Sequence, residues 1–125
     1  TSGHQPHLLQ RQYRMHPLIA EFSSQRFYDG RLESGCSEKQ RPPPTGFAWP
    51  SPRGGVAFLQ CEGLEEAVGT SYANNYEAQV VGDVLAGLFA AGELAPCDVG
   101  IISPYGAQVR HLRRTLGARL SPWLG

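Results

Sequence analysis

Lysine is nearly missing from this chain: ten of its eleven basic residues are arginines, and Lys39 is the exception. Guanidinium groups suit bidentate anion binding, although base composition of the gene accounts for such a bias equally well. An excess of either charge is missing too, since 11 acidic residues balance the 11 basic ones. Bulk charge therefore announces no nucleic-acid partner, and only the distribution of charge can. Cysteine is scarce. Cys36, Cys61 and Cys97 stand far apart, odd in number and in no CxxC or Cys/His spacing, which indicates neither a disulfide framework nor a zinc site. A reducing, intracellular compartment, cytoplasmic or nuclear, is the expectation. No apolar run approaches the roughly 18 residues of a membrane span, and Thr1 to Pro6 carries no signal-peptide pattern. His4, His7, His16 and His111 show no ligand or catalytic spacing.

The stretch from Leu8 to Gly30 is richest in information. Its apolar start, Leu8 to Gln10, predicts a short strand that runs into the polar corner QYRMHP. Pro17 then opens a segment with Leu18, Ile19 and Phe22 at helical spacing, expected to face inward over a helix reaching about Arg26. Proline suits the first position of a helix because the amide hydrogen it lacks would be unpaired there, which leaves His16 or its neighbour as the cap. A corner at the carboxyl end of a strand is where open α/β sheets bind ligands. Here it offers Gln12, Tyr13 and Arg14 side by side: an amide to hydrogen-bond, a ring to stack and a guanidinium to grip phosphate.

Phe27 and Tyr28 are expected to fold back over the same core, and Asp29-Gly30 to turn the chain. From Arg31 to Gly55, five of the ten prolines gather with Gly, Ser and Gln, predicting an irregular surface excursion. Val56 to Gln60 lacks polar alternation and reads as a central parallel strand, and Gly69 to Tyr72 as a loop. Asn74 caps the next helix, with Glu77 three positions on as in a capping box, and Val81, Val84, Leu85 and Leu88 form its inner face up to Gly92. Val99 to Ile102 predicts another strand, followed by Ser103-Pro104 as cap and first turn of a third helix. That helix carries Val109, Leu112, Leu116 and Leu120 inward and Arg110, Arg113 and Arg114 outward, with Arg119 near its end. Trp49 and Trp123 read as local packing. Strands alternating with helices imply an α/β fold with an open parallel sheet flanked by helices, in one domain of 125 residues.

Four motifs, LxxQYRMHP (Leu9 to Pro17), FxSxxFYxGxL (Phe22 to Leu32), GTSYxNxxEA (Gly69 to Ala78) and DVGIISPYxxQ (Asp98 to Gln108), resemble the second RecA-like domain of superfamily 1B helicases. The branch is that of the nonsense-mediated-decay helicase, senataxin and the helicases with zinc fingers. The resemblance implies a RecA-like, P-loop-type domain of an ATP-dependent RNA helicase, with DNA as a second possible substrate. It implies that Arg14 reaches the γ-phosphate as an arginine finger and that Tyr13 stacks on adenine. It further implies that Gln12 supports the corner and that Glu77 meets the nucleotide. Ser103, Pro104, Tyr105 and Gln108 would lie near single-stranded RNA or DNA, joined by Arg110 of the basic face. Ser103 stands where the family usually has Thr, which keeps the hydroxyl, and Arg11 where relatives carry a smaller residue.

The phosphate loop GxxxxGKT, the magnesium-binding DE strand, FQGxE and the second arginine motif are all missing. ATP and Mg²⁺ would therefore be held together with a first RecA-like domain that supplies the metal ligands, and this stretch alone would be inactive. Blander readings stand beside each site: capping alone explains Glu77, and a solvated helix face explains the arginines. A non-enzymatic interaction platform, as in a transcriptional co-regulator or antiviral factor, is the alternative function.

Overall fold

The computed structural model describes residues 3–125, so the first two positions of the polar N-terminal segment lie outside the described residues. The chain forms two compact units, one drawn from Thr1–Pro43 and Trp49–Ala57, the other from Pro44–Ala48 and Phe58–Gly125.

In the first unit, strand β1 (Arg11–Gln12) pairs in parallel with β2 (Glu33–Ser34), with Arg11 opposite Glu33 and Gln12 opposite Ser34. The strand thus begins where the Leu8 to Gln10 run ends. Between them lies helix α1 (Pro17–Phe27), with proline in its first turn and the His16 ring accepting from the Leu18 amide at 3.0 Å. Its buried positions are Ala20 and Ser24. Ile19, Phe22 and Phe27 are 48, 68 and 67% exposed, so the expected inward face is corrected. A small residue and a serine face inward because the chain doubles back tightly. Ser24 exchanges hydrogen bonds with both backbone groups of Leu32, and its carbonyl receives the Gly30 amide at 2.9 Å. Gly30 has φ +72°, the left-handed conformation that such a helix ending needs. The excursion adds a 3₁₀ turn (Glu38–Gln40), whose start is tied by the Gln40 side chain to the Ser37 amide.

The second unit packs α2 (Asn75–Ala90) on α3 (Gly106–Arg119). Ala78, Leu85 and Phe89 of α2 meet Leu112, Leu116 and Leu120, with Val81, Val99 and Trp123 against the edge. Gly92, at φ +79°, follows the end of α2 as expected. A short helix α4 (Ser121–Leu124) brings Trp123 within 6.2 Å of the Phe89 ring.

Three local expectations are corrected here. The stretch read as a loop from Gly69 to Tyr72 is part of an antiparallel hairpin, β3 (Glu66–Val68) with β4 (Ser71–Ala73), turning at Gly69 with φ +63°. Ser103-Pro104 does not begin α3, whose cap position is Tyr105; the Ser103 hydroxyl accepts the Tyr105 amide at 3.3 Å, while Ser71 accepts the Ala107 amide at 3.1 Å. Finally, neither Val56 to Gln60 nor Val99 to Ile102 is in a strand among the described residues. A central parallel strand needs a neighbour on each side and cover on both faces. Here Phe58 and Ile102 are 90 and 97% exposed, and the boundary between the units falls within the Val56 run. The fold is mixed helix and strand, with two small sheets among the described residues.

Candidate nucleotide and nucleic-acid sites

The corner after β1 is closed by its own glutamine. Gln12 Nε2 donates to the Met15 carbonyl and to Ser34 Oγ, both at 2.9 Å, while its Oε1 accepts the Met15 amide at 2.7 Å. With both ends of its amide so committed, Gln12 supports the turn, and the two residues inside that turn face outward. Tyr13 is 62% exposed. Arg14 is exposed, and its guanidinium has no hydrogen bond or ion pair among the described residues. Neighbouring charges are already paired. Arg11 lies 3.4 Å from Glu33, and the Tyr13 hydroxyl, then Glu33, hold its guanidinium pKa above the usual value.

Two residues of the excursion complete this corner, and motif reading misses both. Arg41 donates through Nη2 to the Tyr13 carbonyl at 2.6 Å and through Nη1 to the Arg14 carbonyl. Gly35 lies beneath the Tyr13 ring, where a Cβ would come within 2.1 Å of Cε1. The excursion looked like featureless surface because its bonds to the corner span 21 to 28 positions; no local spacing encodes them.

In the second unit, Glu77 shares a hollow of about 250 Å³ with Ser103, Pro104, Tyr105, Tyr72 and Gln108. The capping box is only half formed. Asn74 Oδ1 accepts the Glu77 amide at 3.0 Å, but the Asn74 amide donates to Gln108 Oε1 at 2.8 Å rather than to the Glu77 carboxylate. The Glu77 carboxylate is therefore left exposed on the first turn of α2, a helix end that favours negative charge. Gln108 is placed otherwise than expected. It is 5% exposed and returns a second bond, Nε2 to the Asn74 carbonyl at 3.0 Å, so both ends of its amide tie α3 to the start of α2. Tyr105, 44% exposed, meets Tyr72 edge to face at 5.5 Å.

Arg110, Arg113 and Arg114 are all exposed on α3. Arg110 and Arg114 border a hollow of about 250 Å³ with His111 and Asn75. His111 Nε2 lies 3.0 Å from Asn75 Oδ1 and its Nδ1 lies 3.2 Å from Arg114, an arrangement that fits a proton on Nε2. Arg119 does not belong to this face, because it reaches back to Asp83 and the Gln79 carbonyl of α2. Among the described residues no three His, Cys, Asp or Glu side chains gather as a metal site, and no helix is long and apolar enough to cross a membrane.

Comparison with known proteins gives these geometries a context. The profile of a family described as an AAA domain matches residues 1–122. Regulator of nonsense transcripts 1 from Dictyostelium discoideum is 40% identical over 108 residues, covering 85% of this chain and 8% of that protein. Its Caenorhabditis elegans namesake is 40% identical over 128 residues, covering 94% of this chain and 12% of that protein. The ATP-dependent helicase NAM7 of Saccharomyces cerevisiae is 39% identical over 109 residues, covering 85% of this chain and 11% of that protein. The chain thus spans about a tenth of the length of these relatives. It belongs to the AAA-domain family, in the superfamily 1 helicase branch of the nonsense-mediated-decay type.

Proposed function

We propose that this chain is the second RecA-like domain, in part, of an ATP-dependent RNA helicase, with DNA as a further substrate, in the cytoplasm or nucleus. Val56 to Gln60 and Val99 to Ile102 are then strands of an open parallel sheet completed elsewhere in the protein. Arg14 acts as an arginine finger on the outermost phosphate of ATP bound against a first RecA-like domain. Tyr13 stacks on the adenine, and Gln12 holds the turn that carries both. Glu77 approaches the same nucleotide. Ser103, Pro104, Tyr105 and Arg110 line the path of a single strand.

One observation carries the reading: Arg14 projects, exposed and unpaired among the described residues, from a turn held by the Gln12 side chain and by Arg41 on the Tyr13 and Arg14 carbonyls. A surface arginine retained for stability would be expected to touch a carboxylate, whereas a finger must remain available. The donor set also matches the division of labour. A cation and a ring suit the anionic end and the base of a nucleotide, while the nearby carboxylates, Glu33 and Glu38, are taken by Arg11 and Arg53. Such a corner fits ATP and offers nothing to Mg²⁺, whose ligands are assigned to the first domain.

Fingers contribute on the order of 10³ to 10⁵ in rate through charge stabilisation in the transition state. Arg14→Ala in the full-length protein is therefore expected to lower ATP turnover by at least about 10³ while nucleotide binding persists. Turnover within a few-fold of wild type would remove the role.

A further inference from the structure

We infer that Arg41 and Gly35 are positioning residues of the nucleotide corner, Arg41 fixing the backbone of Tyr13 and Arg14, and Gly35 fixing the plane of the Tyr13 ring. The inference deepens the reading of Tyr13 and Arg14 given above and rests on it.

Arg41 meets the corner as a fork. Its two terminal nitrogens donate to the carbonyls of two successive residues, a two-nitrogen grip of fixed geometry that the single, freely turning nitrogen of an ammonium does not reproduce. Those carbonyls belong to the two residues whose side chains face outward, so Arg41 sets their direction through the backbone. The grip is itself braced. Arg41 closes the 3₁₀ turn by its amide to the Glu38 carbonyl at 3.1 Å. Glu38 accepts from Arg53 at 2.8 Å, and Arg53 also lies 3.6 Å from Glu21 of α1. Helix, turn and corner are thereby connected through charged groups.

Gly35 acts on the ring. Its amide donates to the Gln12 carbonyl at 2.7 Å, continuing the β1–β2 ladder and bringing bare backbone under Tyr13. A Cβ there would lie 2.1, 2.4 and 2.8 Å from Cε1, Cδ1 and Cζ of the ring, closer than van der Waals contact permits. Any side chain at position 35 must therefore turn the ring away. One face of Tyr13 rests on backbone, leaving the other for a planar ligand.

The test is steady-state, RNA-stimulated ATP hydrolysis by the full-length protein, with thermal unfolding measured alongside. Misplacing a catalytic group by about 1 Å costs up to about 10²-fold. Arg41→Ala should accordingly lower kcat by about 10- to 100-fold with a small change in KM. Arg41→Lys, which keeps the charge but loses the fork, should move kcat the same way by less and covers the case where the alanine variant unfolds. Gly35→Ala should raise KM for ATP and leave kcat nearly intact. Each effect should vanish in the background it acts through: Arg41→Ala should add nothing to the kcat loss of Arg14→Ala, and Gly35→Ala nothing to the KM change of Tyr13→Ala. Full multiplication of the losses in those pairs overturns the proposal. So does normal kcat in Arg41→Ala while Arg14→Ala is inactive, a result that leaves the finger standing. Normal turnover in Arg14→Ala would instead strike the finger reading, and the positioning role with it.

Discussion

Asn74 has a partner for each of its polar groups. Its side-chain oxygen takes the Glu77 amide, its Nδ2 donates to the Gly63 carbonyl at 2.8 Å, and its backbone pairs with Gln108. At 7% exposure it is the buried hub that holds the start of α2. Losing a helix cap costs about 1 kcal/mol, and leaving the part-buried Gly63 carbonyl unpaired about 1–2 kcal/mol more, the lower part of the range for a buried group. Asn74→Ala should therefore destabilise this unit by about 2–3 kcal/mol, read as faster hydrogen exchange in the first turn of α2. Glu77→Gln, which removes only a charge that the helix end favours and no cap bond, should speed that exchange far less than Asn74→Ala and should alter ATP affinity. Faster exchange with normal affinity would return Glu77 to a purely helical role. The sequence contained Asn74 as a cap and Glu77 at the right offset. It did not contain Gln108 as competitor for the cap amide, since that bond joins positions 34 apart.

Among the elements, the best evidence of close packing is backbone against backbone. The segment Pro44–Ala48 crosses α2 at Gly87, where a Cβ would sit 2.5 Å from the Gly46 carbonyl oxygen. Gly46 has φ +94° and would in turn press on Gly87. Gly87→Ala should thus cost about 1–3 kcal/mol as an overpacking substitution, seen as a lowered unfolding midpoint of the full-length protein. The crossing segment is also fastened by charge. Thr45 donates through its amide and hydroxyl to the two oxygens of Glu93, at 2.9 and 2.7 Å, and these bonds lower the Glu93 pKa. A carboxylate with a lowered pKa in the folded state contributes stability above its unfolded pKa and loses it as pH falls through the folded one. The Thr45 amide should accordingly stay protected at neutral pH and lose protection below the ordinary carboxylate range, as followed by NMR hydrogen exchange. Protection that outlasts protonation of Glu93 would count against the fastening. Helices such as α2 and α3 could be read from the sequence because their apolar faces repeat every three or four residues. The hairpin could not, since its three-residue strands are exposed on one side or both and leave no such repeat.

For the molecule as a whole, a net charge of zero hides a segregation. The last 27 residues hold four arginines and no acid, while the first 98 hold seven basic residues against eleven acidic ones. Composition averages this away, so overall charge is silent on the polyanion partner proposed above. Arg119 is spent on Asp83, leaving Arg110, Arg113 and Arg114 as the exposed cations of α3. Arg110 and Arg114 border the hollow at Asn75, and Arg113 a second hollow that Ser103 also lines, so the phosphates of the proposed single strand are the partner argued for them. A strand that stacks bases on one set of side chains must lay its backbone beside another. If all three arginines meet phosphates of one single strand, replacing them with alanine releases up to three counterion-displacing contacts. The slope of log binding constant against log salt concentration should then fall by up to about 2, at about 0.7 per contact. Single replacements should remove about 0.7 each, so the number of contacts can be counted one residue at a time. A slope unchanged in the triple variant, measured with single-stranded RNA on the full-length protein, would make the face an ordinary solvated one. The strand path would then rest on Ser103 to Tyr105 alone.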